Sequence, residues 1–350
     1  MVRVGILGCG SIAKFRHAPE TLTNENARLI GFFDPRPERA AEFVKQFGGK
    51  AFASAEELLS SSEIDAVCVC SANVFHYEQT MAALAHGKHV LCEKPMAVSV
   101  QQAEEMHQQA KKMGKKLMVA ENFRLAPAHI KAKKLIESGE IGKVQTFRAV
   151  FGHNGPEHWT ADKSVNTWFF QKDKCSVGSI GDVGIHKIDA IRWLFDTEVE
   201  EVSACVATLE KKNEDGTPIN VDDNAVAILK LANGVFGTLQ SSWTIKGDED
   251  HSTVIYGSDA TMRIYDDPRH AITIVNDKGE RSYFDLGAIP TNGDGGQFKT
   301  GIIDEFIKCI EEDTRPLISS RDGIEDLRVV ESILQAARKK TVIANPYQVD

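Results

Sequence analysis

Three polar side chains, Asp182, His186 and Asp189, stand in a largely apolar run, "GSIGDVGIHKIDAIRWLF" at 178–195. If the run is helical, steps of four and three place all three on one face. Two carboxylates and an imidazole in one row suit a metal site, a proton relay or a mutually satisfied polar network. No further His/Cys cluster supplies more metal ligands, so no metal is expected. Upstream, Glu93-Lys94-Pro95 follows the strand-like "HVLC". In an open parallel sheet, ligands bind beyond the carboxyl ends of the strands, which puts Lys94 at a reaction centre. A cis bond before Pro95 would fix that turn.

The elements that must position these groups fall into two patterns. Through residue 121, short apolar runs alternate with helical periodicity. "VRVGILG", "ARLIGFFD", "IDAVCVCSA", "HVLCEKP" and "KLMVAEN" read as strands. Helices are predicted between them, one opened by Pro37 and one capped by Ser54 with Glu57 three residues on. This rhythm predicts a doubly wound parallel sheet with right-handed crossovers. From 122 the pattern turns to strands, with helices near 127–138, 182–195, 298–312 and 321–340. Hairpins are expected at Asn233-Gly234, Gly257 and Gly279. The fold class is therefore α/β: a Rossmann domain over 1–121 and an α+β domain over 122–350 with a large, mostly antiparallel open sheet. The last helix is expected to pack back on the first domain.

Composition narrows the function classes. The chain has 350 residues, 42% hydrophobic and 26% charged, as in ordinary globular proteins. A net charge of −9 disfavours nucleic-acid and anionic-membrane surfaces. Neither a signal peptide nor a membrane span is apparent. Seven scattered cysteines, with no CxxC, read as reduced thiols in a cytoplasm.

The first strand runs into G-x-G-x-x-A: Gly8, Gly10 and Ala13. Gly8 permits the tight turn, Gly10 lets backbone approach a pyrophosphate, and Ala13 lets the helix pack near the strand. The helix start, with Ser11 and Ile12, can stabilise phosphates. The second strand ends in Asp34, placed for adenosine ribose hydroxyls. Its charge favours NAD over NADP, although Arg36 could pair with a 2′-phosphate and keep NADP in play.

Together the residues resemble the glucose–fructose oxidoreductase / inositol dehydrogenase / rhizopine-catabolism (Gfo/Idh/MocA) family. "GILGCGSIA", "SAN..H" at 71–76, "CEKP" at 92–95, "ENFR" at 121–124 and "DVGIHKID" at 182–189 carry the likeness, in order, through about residue 195. "SAN" departs from the more usual "TPN". The resemblance implies an NAD(P)-dependent dehydrogenase acting on a secondary alcohol of a sugar or cyclitol, with Lys94, Asp182 and His186 as the proton relay. The chemistry agrees. A histidine near neutrality suits a general base, an aspartate one turn away can orient it, and an ammonium can favour alkoxide character. Ser71, Asn73, His76, Glu93 and Asn122 are expected along the cofactor cleft. Arg124 is a substrate contact or an interdomain ion pair, Asp189 a substrate contact or a brace, and Trp168 a pocket wall. His153, His158 and Asn166 lie in a polar loop that would shape specificity. A homodimer or homotetramer that buries the open sheet face is also implied. Two other readings stand beside this one: an NAD-retaining glycosidase or epimerase without net redox change, and a non-catalytic dinucleotide sensor.

Overall fold

The computed structural model describes residues 1–287 and 299–348. The first sheet contains β1 (Val2–Leu7), β2 (Ala27–Phe33), β3 (Lys50–Ala51), β4 (Ala66–Val69), β5 (His89–Cys92) and β6 (Leu117–Val119). Its order is β3-β2-β1-β4-β5-β6, and the paired strands are parallel. Every residue of β4 is buried, as a strand covered on both faces requires. The order reverses between β1 and β4, and the crevice outside that point is where such sheets bind ligands.

The second sheet contains β7 (Val144–Gly152), β8 (Val199–Ala207), β9 (Asn224–Leu231), β10 (Phe236–Ser242), β11 (Thr253–Gly257), β12 (Ala260–Asp267), β13 (His270–Asn276), β14 (Arg281–Phe284) and β15 (Ile343–Ala344). Its order is β14-β13-β12-β11-β7-β10-β9-β8-β15. The pairs are antiparallel except β7 with β10, which are parallel at the centre. Hairpins turn at the three glycine positions expected from sequence. Helices Pro127–Glu137, Ile185–Phe195 and Ser320–Lys339 bury their apolar faces on one side of this sheet. The opposite face shows Val226, Ile228, Phe236 and Tyr256 to solvent. The helix expected over 298–312 is Ile302–Glu311; residue 298 lies outside the described residues.

The chain's last helices knit the two sheets together. Ile303, Phe306 and Ile307, with Ile324 and Leu327, join the core of the first sheet. Val329, Val330 and Ile333 of the same terminal helix join the core of the second. Val119 N–H donates to the Ile318 carbonyl at 3.0 Å, so the segment before this helix continues β6 by one hydrogen bond.

A buried ion pair sits where these elements cross, and it favours one of the two readings open for each of Arg124 and Asp189. Arg124 donates from Nε to both Asp189 oxygens (2.9 Å each) and from Nη2 to Asp189 (2.6 Å) and Asp322 (2.8 Å). Asp189 is fully buried and Arg124 is 5% exposed, so neither is placed to touch a substrate. Both act as braces, because a buried carboxylate needs a fixed cation more than a transient ligand. Arg124→Met is expected to cost about 3–5 kcal/mol, the price of leaving a charge buried without its partner. Urea unfolding of this variant, and of Arg124→Met combined with Asp189→Leu, checks it. The double variant should recover much of the loss.

Candidate active site

The glycine turn after β1 is built for close approach of a ligand. Gly8 has φ +96°, and a Cβ there would lie 2.7 Å from the Cys70 carbonyl oxygen. A Cβ at Gly10 would meet no heavy atom within 4 Å, so that side of the turn opens onto free space. The helical segment from Ser11 follows, with a π-helical turn over Ala13–His17. Ala13 is fully buried and serves packing. Asp34 accepts from the backbone N–H of Cys9 (2.8 Å) and of Arg36 (2.9 Å). Each carboxylate oxygen keeps a lone pair for a ribose hydroxyl. A dinucleotide therefore fits these residues: phosphates at Gly10 and Ser11, ribose at Asp34.

The groove that starts at Gly10 and Ser11 passes Ser71, Asn73 and His76 and ends at Glu93 and Lys94. Asn73 donates to the Cys175 carbonyl at 2.9 Å, and Ser71 Oγ to Gln79 at 2.8 Å. His76 lies 2.8 Å from the Pro95 carbonyl and 3.0 Å from that of Ser71. The buried neutral ring donates to one of these two carbonyls, and through its place beside Pro95 His76 packs under the Lys94–Pro95 turn. The Lys94–Pro95 peptide is cis. The Glu93 carboxylate accepts from His17 Nε2 at 2.6 Å.

A loop from the second half roofs the groove, a feature no local motif announces. Trp159, Thr160, Asp162 and Trp168 line it, and Ser11 Oγ donates to the Trp159 carbonyl at 3.3 Å. Trp168 thereby borders the cofactor groove and is not among the residues lining the adjoining cavity, the wall position expected of it. His158 is half-exposed beside Glu157, and Asn166 donates to Glu214, so neither is drawn into the cavity. Asp162 lies 2.5 Å from Arg39 Nη2 and 3.4 Å from Arg36 Nη1. Arg36, which could pair with a 2′-phosphate, also approaches this carboxylate.

The groove opens at Lys94 into a second cavity lined by Asn122, His153, Trp159, Asp182 and His186. The Lys94 ammonium donates to Asp182 Oδ1 (2.9 Å) and to the Asp182 carbonyl (2.7 Å). Burial opposes the lysine charge, but Asp182, Glu93 and Glu121 outweigh it and raise its pKa. Burial likewise works against the Asp182 anion, yet Lys94 and then His153 hold the carboxyl well below the usual range. Trp243 Nε1 donates to the other Asp182 oxygen at 3.0 Å. His153 accepts from Gly155 N–H through Nδ1 (2.9 Å), which leaves Nε2 as the proton-bearing nitrogen 3.8 Å from Asp182.

His186 does not take Asp182 as its partner, contrary to the spacing argument. Asp182 sits in a π-helical turn, Ile180–Gly184, and leans away to Lys94 and Trp243. The imidazole bonds through Nδ1 to Glu121 Oε2 at 2.5 Å. Glu121 is 65 residues away in sequence and fully buried. Phe123 stacks on the ring at 4.7 Å and 11°. Burial, and after it Lys94, push the His186 pKa down to about 3, so the resting ring is neutral near pH 7. Asp182, His186 and Asp189 therefore each have a different partner, which dissolves the metal reading of the row.

Comparison with known proteins bears on this geometry. Residues 2–121 match the family model described as "Oxidoreductase family, NAD-binding Rossmann fold", and residues 129–263 match the GFO/IDH/MocA C-terminal domain. Glucose-6-phosphate 3-dehydrogenase of Bacillus subtilis is 33% identical over 280 residues, 79% of this chain and 78% of that protein. Myo-inositol 2-dehydrogenase of Thermotoga maritima is 29% identical over 92% of each chain. The solved structure of levoglucosan dehydrogenase with NADH and levoglucosan superposes with a TM-score of 0.83 at 25% identity. It covers 99% of this chain and 100% of that one.

The roof loop generates a prediction about cofactor choice. Asp162 adds a second negative charge near Asp34 and occupies the nearby arginines. Asp162→Ala should tighten NADPH binding about tenfold, worth about 1.4 kcal/mol, and leave NADH within a few-fold. Thermal stability should hardly change, because exposed ion pairs contribute little. Tryptophan-fluorescence titration with both nucleotides measures this; an unchanged preference would contradict it.

Proposed function

The chain belongs to the Gfo/Idh/MocA family of oxidoreductases, and from that premise we propose that it transfers a hydride between a secondary alcohol of a sugar or cyclitol and a nicotinamide. Residues 1–121 would hold the cofactor and 122–350 the substrate. The observation that supports this reading most is the shared cavity. Lys94 from the end of β5 and His186 from a helix of the second half both line it, where the glycine-turn groove ends. The names of three relatives, a glucose-6-phosphate 3-dehydrogenase, a levoglucosan dehydrogenase and a myo-inositol 2-dehydrogenase, point to the same substrate class.

NAD, when bound, supplies the hydride acceptor or donor. What remains is the movement of one proton, and the side chains divide that work. Lys94, kept charged by Asp182, donates to the carbinol oxygen and favours its alkoxide character. Asp182, held between Lys94 and Trp243, fixes where the ammonium points. His186 offers Nε2 to the hydroxyl proton when its Nδ1–H donates to an ionised Glu121. The apolar faces of Phe123 and Phe151 close against the imidazole and keep water from that side.

Two further proposals follow from the same reading. The exposed sheet face, where Val226, Ile228, Phe236 and Tyr256 stand on neighbouring strands, would be covered by a second copy in a homodimer or homotetramer. A cytoplasmic setting suits seven free cysteines, six of them buried.

A panel of cyclitols and aldoses, read by NADH absorbance with NAD and NADP, tests the activity. One NADH per polyol oxidised is expected. Cleavage of a glycoside without NADH accumulation would indicate the NAD-retaining alternative, and binding without turnover the sensor. His186→Ala and Lys94→Ala should each lower kcat by roughly 10²- to 10⁴-fold with NADH binding preserved. A near-wild-type rate for His186→Ala would remove it from the role of base.

A further inference from the structure

We propose that Glu121 is a positioning residue that sets the tautomer and the proton affinity of His186. The proposal rests on the reading of His186 as the proton acceptor. Its ground is geometric. Glu121 leaves the chain just after β6, at the same edge of the first sheet that carries Lys94, and its carboxylate lies 2.5 Å from His186 Nδ1. The side chain is fully buried, and its second oxygen, Oε1, has no hydrogen-bond partner among the described residues. Phe123, two residues on, stacks on the imidazole, and Phe151 packs on it at 5.8 Å. One short turn of chain thus fixes the ring in its plane and across its face.

A carboxylate behind an imidazole decides which nitrogen carries hydrogen. When the pair holds one proton, Nδ1–H donates to the Glu121 carboxylate and Nε2 presents a lone pair to the cavity. When it holds two, Nε2 bears hydrogen whether the second proton rests on Nδ1 or on Glu121. Alcohol oxidation moves the pair from the first state to the second. The hydroxyl proton goes to Nε2, the C–O bond becomes C=O, and the hydride leaves carbon with its electron pair. Carbonyl reduction reverses each transfer. Burial and the nearby Asp189 raise the Glu121 pKa well above its ordinary value, and burial and Lys94 lower that of His186. Both shifts disfavour an isolated ion, so the two groups titrate as one unit.

Other charges face this unit and stay in place in the test. Lys94 and Glu93 approach from the end of β5, and Asp182 and Asp189 from the helix that carries His186. Arg124 acts on Glu121 from the turn after β6, and the charge of Glu121 in turn acts on Asp326 of the terminal helix. His153 and Glu249 line the cavity that Nε2 faces. Removing the Glu121 charge leaves Lys94 opposing protonation of His186 with less counterbalance, which defines the direction of the effect.

Glu121→Gln keeps the shape and removes the charge. In the oxidation direction, kcat is expected to fall about 10- to 100-fold, as when an imidazole loses its supporting partner, with KM for the polyol unchanged. The acidic limb of the kcat profile should move to lower pH by about one unit or more, because the anion that favoured the imidazolium is gone. A second measurement needs no variant that might misfold. Nitrogen-15 NMR of histidine-labelled wild-type protein bound to NADH, above the acidic limb, should show His186 protonated at Nδ1. An Nε2–H tautomer there would overturn the proposal, as would an acidic limb that does not move in Glu121→Gln. If instead His186→Ala itself retains full turnover, the functional reading fails and not the Glu121–His186 coupling, which the NMR tautomer reports independently.

Discussion

Lys94 and Asp182 join the two halves of the chain at their chemical centre. The ammonium at the end of a parallel strand reaches both the side chain and the backbone carbonyl of an aspartate in the opposite half, at 2.9 and 2.7 Å. A buried pair of this kind contributes little net stability, since desolvation offsets most of the attraction. Its consequence is placement. Holding Lys94 against the Ile180–Gly184 turn sets where the glycine-turn groove meets the second cavity. The braces around it serve that placement: His76 supports the Lys94–Pro95 turn, Trp243 holds the far oxygen of Asp182, and Arg124 with Asp189 anchors the helix one turn beyond His186.

The site separates a pair held in its charged forms from a pair in which burial works against isolated charge. Lys94 and Asp182 stabilise each other's charged forms, and their pKa values move apart. Glu121 and His186 are moved toward neutrality by burial. Opposed shifts in neighbouring pairs are a recurrent way for one pocket to hold both an electrostatic anchor and a proton carrier. Here the division follows the chain: the Lys94–Asp182 pair spans the two halves along the groove, while the Glu121–His186 pair lies against Phe123.

Much of this was legible in local patterns. Short apolar runs ending in Gly8, Asp34 and Glu93 mark a parallel sheet and its ligand edge, and the glycine-centred turns mark the hairpins of the second sheet. The motif residues Lys94, Asp182 and His186 do meet at one cavity. What the sequence could not convey is pairing across long separations. Spacing put Asp182, His186 and Asp189 in one row, but a helix face does not say which neighbour each side chain meets. Lys94, Glu121 and Arg124 took them one by one, and a π-helical turn carried Asp182 out of reach of the imidazole. Glu121 lay inside a recognised segment, "ENFR", yet only the fold brings its carboxylate to His186 Nδ1. Asp162 and Trp159, in a polar loop without periodicity, become part of the groove only because that loop folds back over the first half.

The central claim is that one hollow brings the ammonium of the first half and the imidazole of the second to the same carbinol. A crystal structure of the ternary complex with NADH and a turned-over polyol tests it most directly. The account predicts the reacting oxygen within about 3 Å of both Lys94 Nζ and His186 Nε2, with its carbon facing the nicotinamide. A polyol bound elsewhere, or one whose oxygen reaches the cofactor without either side chain, would contradict it.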